Sequence, residues 1–302
     1  MLYNIWHRIF LWCGCDIDKA AAERKDERMP ELPEVETIKR VLEPQLRGCM
    51  IQSVKVPRPE VIAHPDAADF CAALAGQKIR GMDRRGKFLQ IIMESGDTVI
   101  LHLRMTGCLL AAPKDHPAEK HTHVVFCLDN DVEVRFSDTR RFGRLWLQHA
   151  GEADTFSGRE LLGPEPFDEG MTAEYLQSAL GKSRRTIKAC LLDQKKIAGI
   201  GNIYSDEILF SAKIRPDREA CSLKKKEWER LAETIPASLS FFIEKNRITP
   251  AAYLKSKGQD YRNTPFLKVY GHEGEPCPTC GTPLRKNVIG GRSSVFCPKC
   301  QK

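Results

Sequence analysis

Ile197-Ala198-Gly199-Ile200-Gly201-Asn202 is the joint on which the reading of this chain turns. Two glycines in a short apolar stretch, with helical patterns on both sides, describe the turn of a helix-turn-helix variant. Apolar spacing of three to four predicts helices over 185–194 and 202–212 around the joint, and others over 173–180 and 224–246. Lys182, Arg184, Arg185, Lys188, Lys195 and Lys196 crowd the approach to it against one acid, Asp193. A charge run of this kind is ordinarily a solvated face. Beside a glycine joint it has a second reading, because exposed backbone N–H groups and a helix N-terminus attract phosphate.

Working toward the N-terminus, the linker-like glycines and prolines of 150–170, among them Gly163-Pro164-Glu165-Pro166, mark a break. Before it the period changes. Short alternating or β-branched runs at 51–56, 78–82, 88–93, 98–103, 123–128, 132–136 and 143–147, with turns such as Gly96-Asp97 and Asn130-Asp131, predict a β-sandwich or barrel. Two basic segments interrupt it: Arg84-Arg85-Gly86-Lys87 entering one strand, and Asp138-Thr139-Arg140-Arg141-Phe142-Gly143 between two others. Met105 and Phe142 fall in loops of this pattern, although a methionine or phenylalanine is by default a core residue.

Earlier still stands Met29-Pro30-Glu31-Leu32-Pro33-Glu34-Val35-Glu36, opening a helix whose apolar face is Val35, Ile38, Val41, Leu42 and Leu46, with a stop at Gly48. The helix dipole alone accounts for Glu31, Glu34 and Glu36 in the first turns. Pro30 has a further property. In a chain beginning there it is a free secondary amine, a nucleophile, whereas acylated by Met29 it is an amide with no N–H. Glu31 is adjacent to that amine. Residues 1–28, an aromatic segment ending at Cys15 and a charged, potentially helical AAERKDER, show no link to the residues after them, and translation is expected to begin at Met29. The competing expectation is a genuine extension that blocks the amine until it is cleaved.

Toward the C-terminus, Cys277-Pro-Thr-Cys280 and Cys297-Pro-Lys-Cys300 flank a segment that turns at Gly290-Gly291. Two C-x2-C pairs at this separation describe a β-hairpin bound to one Zn2+ through four thiolates. Four protein ligands leave no open position, so the metal is structural, fixing a hairpin too small to fold alone.

The chain has 302 residues, 42% of them hydrophobic, enough for more than one cored domain. Its formal charge of +7 permits a polyanionic partner without requiring one. Of twelve cysteines, the eight outside the two pairs are scattered, as in a reducing compartment. No apolar run reaches the roughly 18 residues needed to cross a bilayer, and no signal-peptide cleavage pattern precedes Met29.

These stretches in this order, MPELPEVE, RRGKFL, LHLRMTG, TRRFG, LGPEP, LLDQKKIAGIGNIYSDEILF and VYGHEGEPC before the paired cysteines, resemble the bacterial formamidopyrimidine-DNA glycosylase family, the 8-oxoguanine glycosylase/AP lyases, from Met29 to Lys302. The resemblance implies an α+β multidomain chain. Its parts would be an extension over 1–28, a catalytic β-sandwich with flanking helices over 29–163, a linker over 164–171, a helix-two-turn-helix domain over 172–255, and a zinc-finger β-hairpin over 268–302. It implies a bacterial cytoplasmic monomer acting on double-stranded DNA that contains oxidised bases, with no membrane association.

The resemblance also implies roles. Pro30 would attack C1′ of the damaged nucleotide, Glu31 would serve as general acid and base, and Lys87 and Arg292 would hold charge and phosphate around the extruded nucleotide. Met105, Arg140 and Phe142 would form the wedge that refills the vacated stack. His121, Lys188 and Asn202 would contact DNA, and Cys277, Cys280, Cys297 and Cys300 would bind zinc. The segment from Lys255 to Pro265 corresponds to the loop over the extruded base and lacks part of the family's glycine pattern. Ser183 stands where the family often has lysine, and His272 where arginine is common. Three other readings stay open: the related branch that removes oxidised pyrimidines, a non-catalytic DNA-binding protein with Pro30 acylated, and a zinc-ribbon interaction protein.

Overall fold

In the computed structural model, residues 29–260 and 262–302 are described. The expectations for 1–28, a start of translation at Met29 or a genuine extension with a helical charged segment, lie outside the described residues, as does Tyr261. Helix α1 (Leu32–Leu46) buries Leu32, Val35, Ile38, Val41, Leu42 and Leu46, the stripe that the apolar spacing requires. It ends where Gly48 takes φ 82°, a conformation glycine adopts without steric cost.

The β-rich half is two sheets. Strands β1 (Ile51–Lys55), β7 (Thr122–Leu128), β8 (Val132–Asp138) and β6 (Gly107–Pro113) form one, in that order. The other runs β2 (Ile62–His64), β9 (Arg144–Gln148), β5 (Thr98–His102), β4 (Phe88–Met93), β3 (Ile79–Arg85). Neighbours are antiparallel except β2 and β9. Leu89, Ile91, Leu101 and Leu145 of one sheet and Leu109, Val124, Phe126 and Phe136 of the other share one core. This is the expected sandwich, with the seven expected strands present and their ends within three residues of the expectation.

Three elements exceed that expectation. Strand β6 is buried at every position but its last, so it shows no alternation to read. Strand β2 has three residues and pairs with β9 far along the chain. Helix α2 (Ala67–Leu74) is capped by Asp66, whose side chain accepts from the N–H groups of Ala68 and Asp69.

The helical half contains α3 (Ala173–Leu180), α4 (Ile187–Leu191), α5 (Asn202–Ser211) and α6 (Lys225–Lys245) around a second core, to which α1 contributes Leu32; α7 (Pro250–Lys255) packs instead on the sandwich core through Tyr253. Helix α4 is shorter than expected. Thr186 caps its start, and beyond its end the Gln194 side chain bonds the joint, accepting from Gly199 N–H at 2.9 Å and donating to Ile200 O at 2.7 Å. The side-chain amide takes the place of helical backbone bonding. Strands β10 (Arg285–Ile289) and β11 (Arg292–Phe296) form the C-terminal hairpin, turning at Gly290 and Gly291. Among the described residues no helix is long and apolar enough to cross a membrane.

Candidate active site

Pro30 is buried, and Glu31 beside it is 2% exposed. The Glu31 carboxylate crosses to the helical half, where it accepts from the N–H groups of Gly201 at 2.8 Å and Ile203 at 3.0 Å, with Tyr204 N–H at 3.4 Å. These are the orphan donors of the α5 N-terminus, where the helix dipole favours an anion. The amides of the joint, expected to face phosphate, are therefore occupied by a carboxylate of the protein itself. Leu32 N–H donates to Gly199 O at 3.2 Å, so the start of the described chain is tied to the joint at two points. Any Cβ at Gly201 would collide with the Glu31 carboxylate and with Lys87 Nζ. Glycine there lets the acid and the ammonium converge.

Lys87 is the second residue of the turn between β3 and β4 and is 7% exposed. Burial holds its ammonium below the usual lysine range, Glu31 pulls it back up, and the Arg292 guanidinium pushes it further down. A lysine so placed releases its charge more readily than one in water. Gly86 takes φ 56°, and a Cβ there would press on Leu162 and Ala198. Glu165 holds the turn from behind, accepting from Gly86 N–H at 2.5 Å, Arg85 Nη1 at 3.0 Å and Arg84 Nη1 at 2.8 Å. The two arginines of the basic turn thus serve the scaffold. Arg84 also pairs with Glu36 at 3.0 Å.

Two further buried groups meet here to which the sequence alone assigns no role. His102, opposite Phe88 across the β4–β5 ladder, packs its ring edge-on to Phe88 at 4.7 Å and accepts from Arg104 N–H through Nδ1 at 3.1 Å. Burial, with the charges of Arg104 and Lys87, pushes it down to about 3, so its imidazole is neutral at physiological pH. Its one signal is its position in LHLRMTG, at the end of the strand paired with the one after Lys87. Glu34 accepts from Glu31 N–H at 2.9 Å, from the Tyr204 hydroxyl and from Asn263 Nδ2 at 2.7 Å. Burial is the main cause that raises it to about 7. Its dipole-favoured place in the first turn of α1 is a sufficient local explanation, and nothing nearby in sequence marks its partners, 170 and 229 residues away.

On the sandwich side, Met105 lies half-buried in the β5–β6 loop, and Arg140 and Phe142 are exposed in the β8–β9 loop, Phe142 at 48%. The Arg140 guanidinium sits 4.8 Å from the Phe142 ring centroid and 3.2 Å from Met105 Sδ. The three expected wedge residues are therefore brought together. His121 is in the neighbouring loop before β7, with φ 71°. Exposed Arg292 opens β11 at the hairpin tip.

Lys188, expected to contact DNA, lies inside the protein. It is 0% exposed, and its ammonium donates to Asp206 Oδ1 and to Ser293 O, both at 2.8 Å. Asp206 also accepts from Ser294 Oγ at 2.7 Å and Val295 N–H at 3.0 Å. The lysine ties α4 to α5 and to β11 beside Arg292, with its ammonium paired inside the protein. Asn202 stands at the first position of α5, and its Oδ1 is buried without a partner.

The four cysteine sulfurs lie within 4.8 Å of one another, with Cys277–Cys300 at 3.9 Å and Cys280–Cys297 at 3.5 Å. Tetrahedral zinc–thiolate bonds of about 2.3 Å put sulfurs roughly 3.8 Å apart, so the cluster fits one zinc ion. Val269, Leu284, Val295 and Phe210 pack around it.

Three family models match the chain: the formamidopyrimidine-DNA glycosylase N-terminal domain over 29–145, the formamidopyrimidine-DNA glycosylase H2TH domain over 162–252, and the zinc finger found in FPG and IleRS over 274–302. The formamidopyrimidine-DNA glycosylase of Pelotomaculum thermopropionicum is 44% identical over 274 residues, 91% of this chain and 99% of that one. That of Geobacillus kaustophilus is 44% identical over 275 residues, 91% and 100% of the two chains. Among solved structures, Lactococcus lactis Fpg in complex with DNA containing an oxidised pyrimidine superposes with a TM-score of 0.83 at 34% identity, over 90% of this chain and all 100% of that one. The same protein with Fapy-dG DNA gives 0.82 at 34% identity and the same coverage. The sandwich, the joint and the four-thiolate hairpin are each matched in order and nearly in full, and the chain belongs to the formamidopyrimidine-DNA glycosylase family.

Proposed function

We propose that this chain is a base-excision-repair enzyme, a bifunctional DNA glycosylase and AP lyase that removes oxidised purines, 8-oxoguanine and formamidopyrimidines, from double-stranded DNA. The observation that carries this reading is the convergence of the Glu31 carboxylate and the Lys87 ammonium at Gly201, next to Pro30. With Pro30 as the first residue, its amine adds to C1′ of the extruded nucleotide and the bond from C1′ to the base breaks. Glu31 protonates the sugar oxygen as the ring opens, leaving an iminium. That cation acidifies the C2′ hydrogen, so elimination breaks the C3′–O bond, and a second elimination breaks the C5′–O bond. Lys87 and Arg292 offset the phosphate charge beside the nucleotide. Met105, Arg140 and Phe142 fill the vacated stack, and His121 and Asn202 contact the DNA. The catalytic sandwich over 29–163, the linker over 164–171 and the DNA-binding parts over 172–255 and 268–302 form a monomer of the bacterial cytoplasm. Zinc holds the hairpin that presents Arg292 and takes no part in bond breaking.

The chain starting at Pro30, treated with borohydride on an 8-oxoguanine duplex, is expected to cross-link covalently, whereas the chain retaining Met29 is not. Pro30→Gly is expected to lose most turnover while keeping lesion binding; loss of binding and cleavage together would make Pro30 structural. No cross-link from the Pro30-started chain would leave a non-catalytic DNA-binding protein. Competition among 8-oxoguanine, formamidopyrimidine and oxidised-pyrimidine duplexes separates the purine from the pyrimidine branch.

A further inference from the structure

Three loops on one side of the sandwich carry Met105, His121, and the pair Arg140 and Phe142. Each contains a non-glycine residue in the left-handed region: Arg104 at φ 56°, His121 at 71° and Arg141 at 56°. Residues with a side chain hold that conformation only where their surroundings over-determine it. One residue touches all three loops. The Asp138 carboxylate accepts from the hydroxyl of Thr106, the residue after Met105. It also accepts from Arg140 N–H at 3.1 Å and from Gly143 N–H at 2.7 Å. Its own N–H donates to His121 O at 3.1 Å, and its carbonyl accepts from His123 Nε2 at 2.8 Å. Thr106 Oγ1 in turn accepts from Arg140 N–H at 3.2 Å, which closes the link between the methionine loop and the arginine loop. Asp138 is 1% exposed, so it cannot meet DNA itself. A buried carboxylate must be met by donors, and those met by this one come from the two loops that carry Met105, Arg140 and Phe142.

We propose that Asp138 is the positioning residue that holds these loops in one register. Through it the methionine that fills the stack, and the arginine and phenylalanine beside it, enter the duplex as a single wedge. The proposal rests on the wedge reading of Met105, Arg140 and Phe142. Asp138→Asn keeps the shape but can turn an amide NH2 toward donors that need an acceptor. Thr106→Val removes only the hydroxyl that joins the two loops and leaves Asp138 in place.

The test is binding, so the state of the Pro30 amine does not enter it. The full zinc-loaded chain is titrated onto a duplex holding a tetrahydrofuran abasic analogue opposite 2-aminopurine, and onto the matching undamaged duplex. In the unaltered protein, wedge insertion unstacks the 2-aminopurine and its fluorescence rises. Asp138→Asn is expected to abolish the rise and cut the preference for the damaged duplex at least tenfold. Thr106→Val is expected to cut it at least threefold, with both variants binding the undamaged duplex within threefold of the original. If both keep the rise and the preference, the proposal is overturned. It is equally overturned if affinity for the two duplexes falls in parallel, because Asp138 then supports the sandwich as a whole. Arg140→Ala separates the layers. If it retains the fluorescence rise, the wedge reading fails and the proposal with it; if it alone loses the rise, only the role of Asp138 fails.

Discussion

The Glu31 carboxylate accepts a 2.8 Å hydrogen bond from the Gly201 N–H, 170 residues further along the chain. The acid beside the proposed nucleophile is thus fixed by the N-terminus of a helix in the other half. Glu31→Gln keeps the size and loses the proton chemistry. Single-turnover excision by the Pro30-started chain should fall by about 10²- to 10⁴-fold, the usual worth of a general acid. Placing an amide against helix N-terminal donors should also lower unfolding free energy by about 1–3 kcal/mol. Excision within threefold of the original would remove Glu31 from the chemistry.

Glu34 gives the fold a pH dependence of known sign. Its carboxyl is raised from 4.5 to about 7 in the folded chain. Below pH 4.5 both states are protonated and nothing is lost. As pH rises from there to about 7, the unfolded chain releases the proton first, so stability declines by up to about 3 kcal/mol. Urea unfolding between pH 5 and 8 should show this decline in the original chain and a flatter profile in Glu34→Gln. Identical slopes would show that Glu34 is ionised throughout.

The burial of Lys188 separates two roles that a lysine in a basic run can have. Lys188→Met strands Asp206 without its counter-ion and should destabilise by roughly 3–5 kcal/mol, as breaking a buried pair does. The dependence of DNA affinity on salt should not change, because no phosphate contact is lost. A drop of about one in the log–log salt slope would restore the phosphate-clamp role.

Zinc removal reaches the DNA surface indirectly. Chelation should release the hairpin, and with it Arg292, lowering affinity for a damaged duplex by about two orders of magnitude, while unfolding of the sandwich core should keep its midpoint. Unchanged affinity after complete loss of zinc would detach Arg292 from DNA binding.

What could be read from the sequence was what local chemistry determines. The hairpin was legible because two C-x2-C pairs have few other uses, and α3 because Thr172 and the Leu176–Leu180 spacing mark it from within. Strand β6 was not, since burial along nearly its whole length removes the alternation that identifies a strand. Helix α2 has a cap in Asp66, but only eight residues follow it, too few for a clear helical period. Lys188 looks like its basic neighbours because its counter-ion lies eighteen residues away. Glu34, His102 and Asp138 become visible only with the fold, because each meets at least one group from an element the pattern does not place beside it: Tyr204 and Asn263, Lys87, and Thr106. Pattern located the motifs; closure of long loops assigned their partners.

The tie between Leu32 and Gly199, and between Glu31 and α5, also sets an order of assembly. During synthesis the Pro30 end leaves the ribosome early, yet the residues that seat it are made some 170 positions later. Until then the nascent sandwich has strands and a core but no fixed acid beside its first residues. The acid beside Pro30 is therefore fixed only once the helical half is present, and a product that stops short of the joint lacks the donors that seat it.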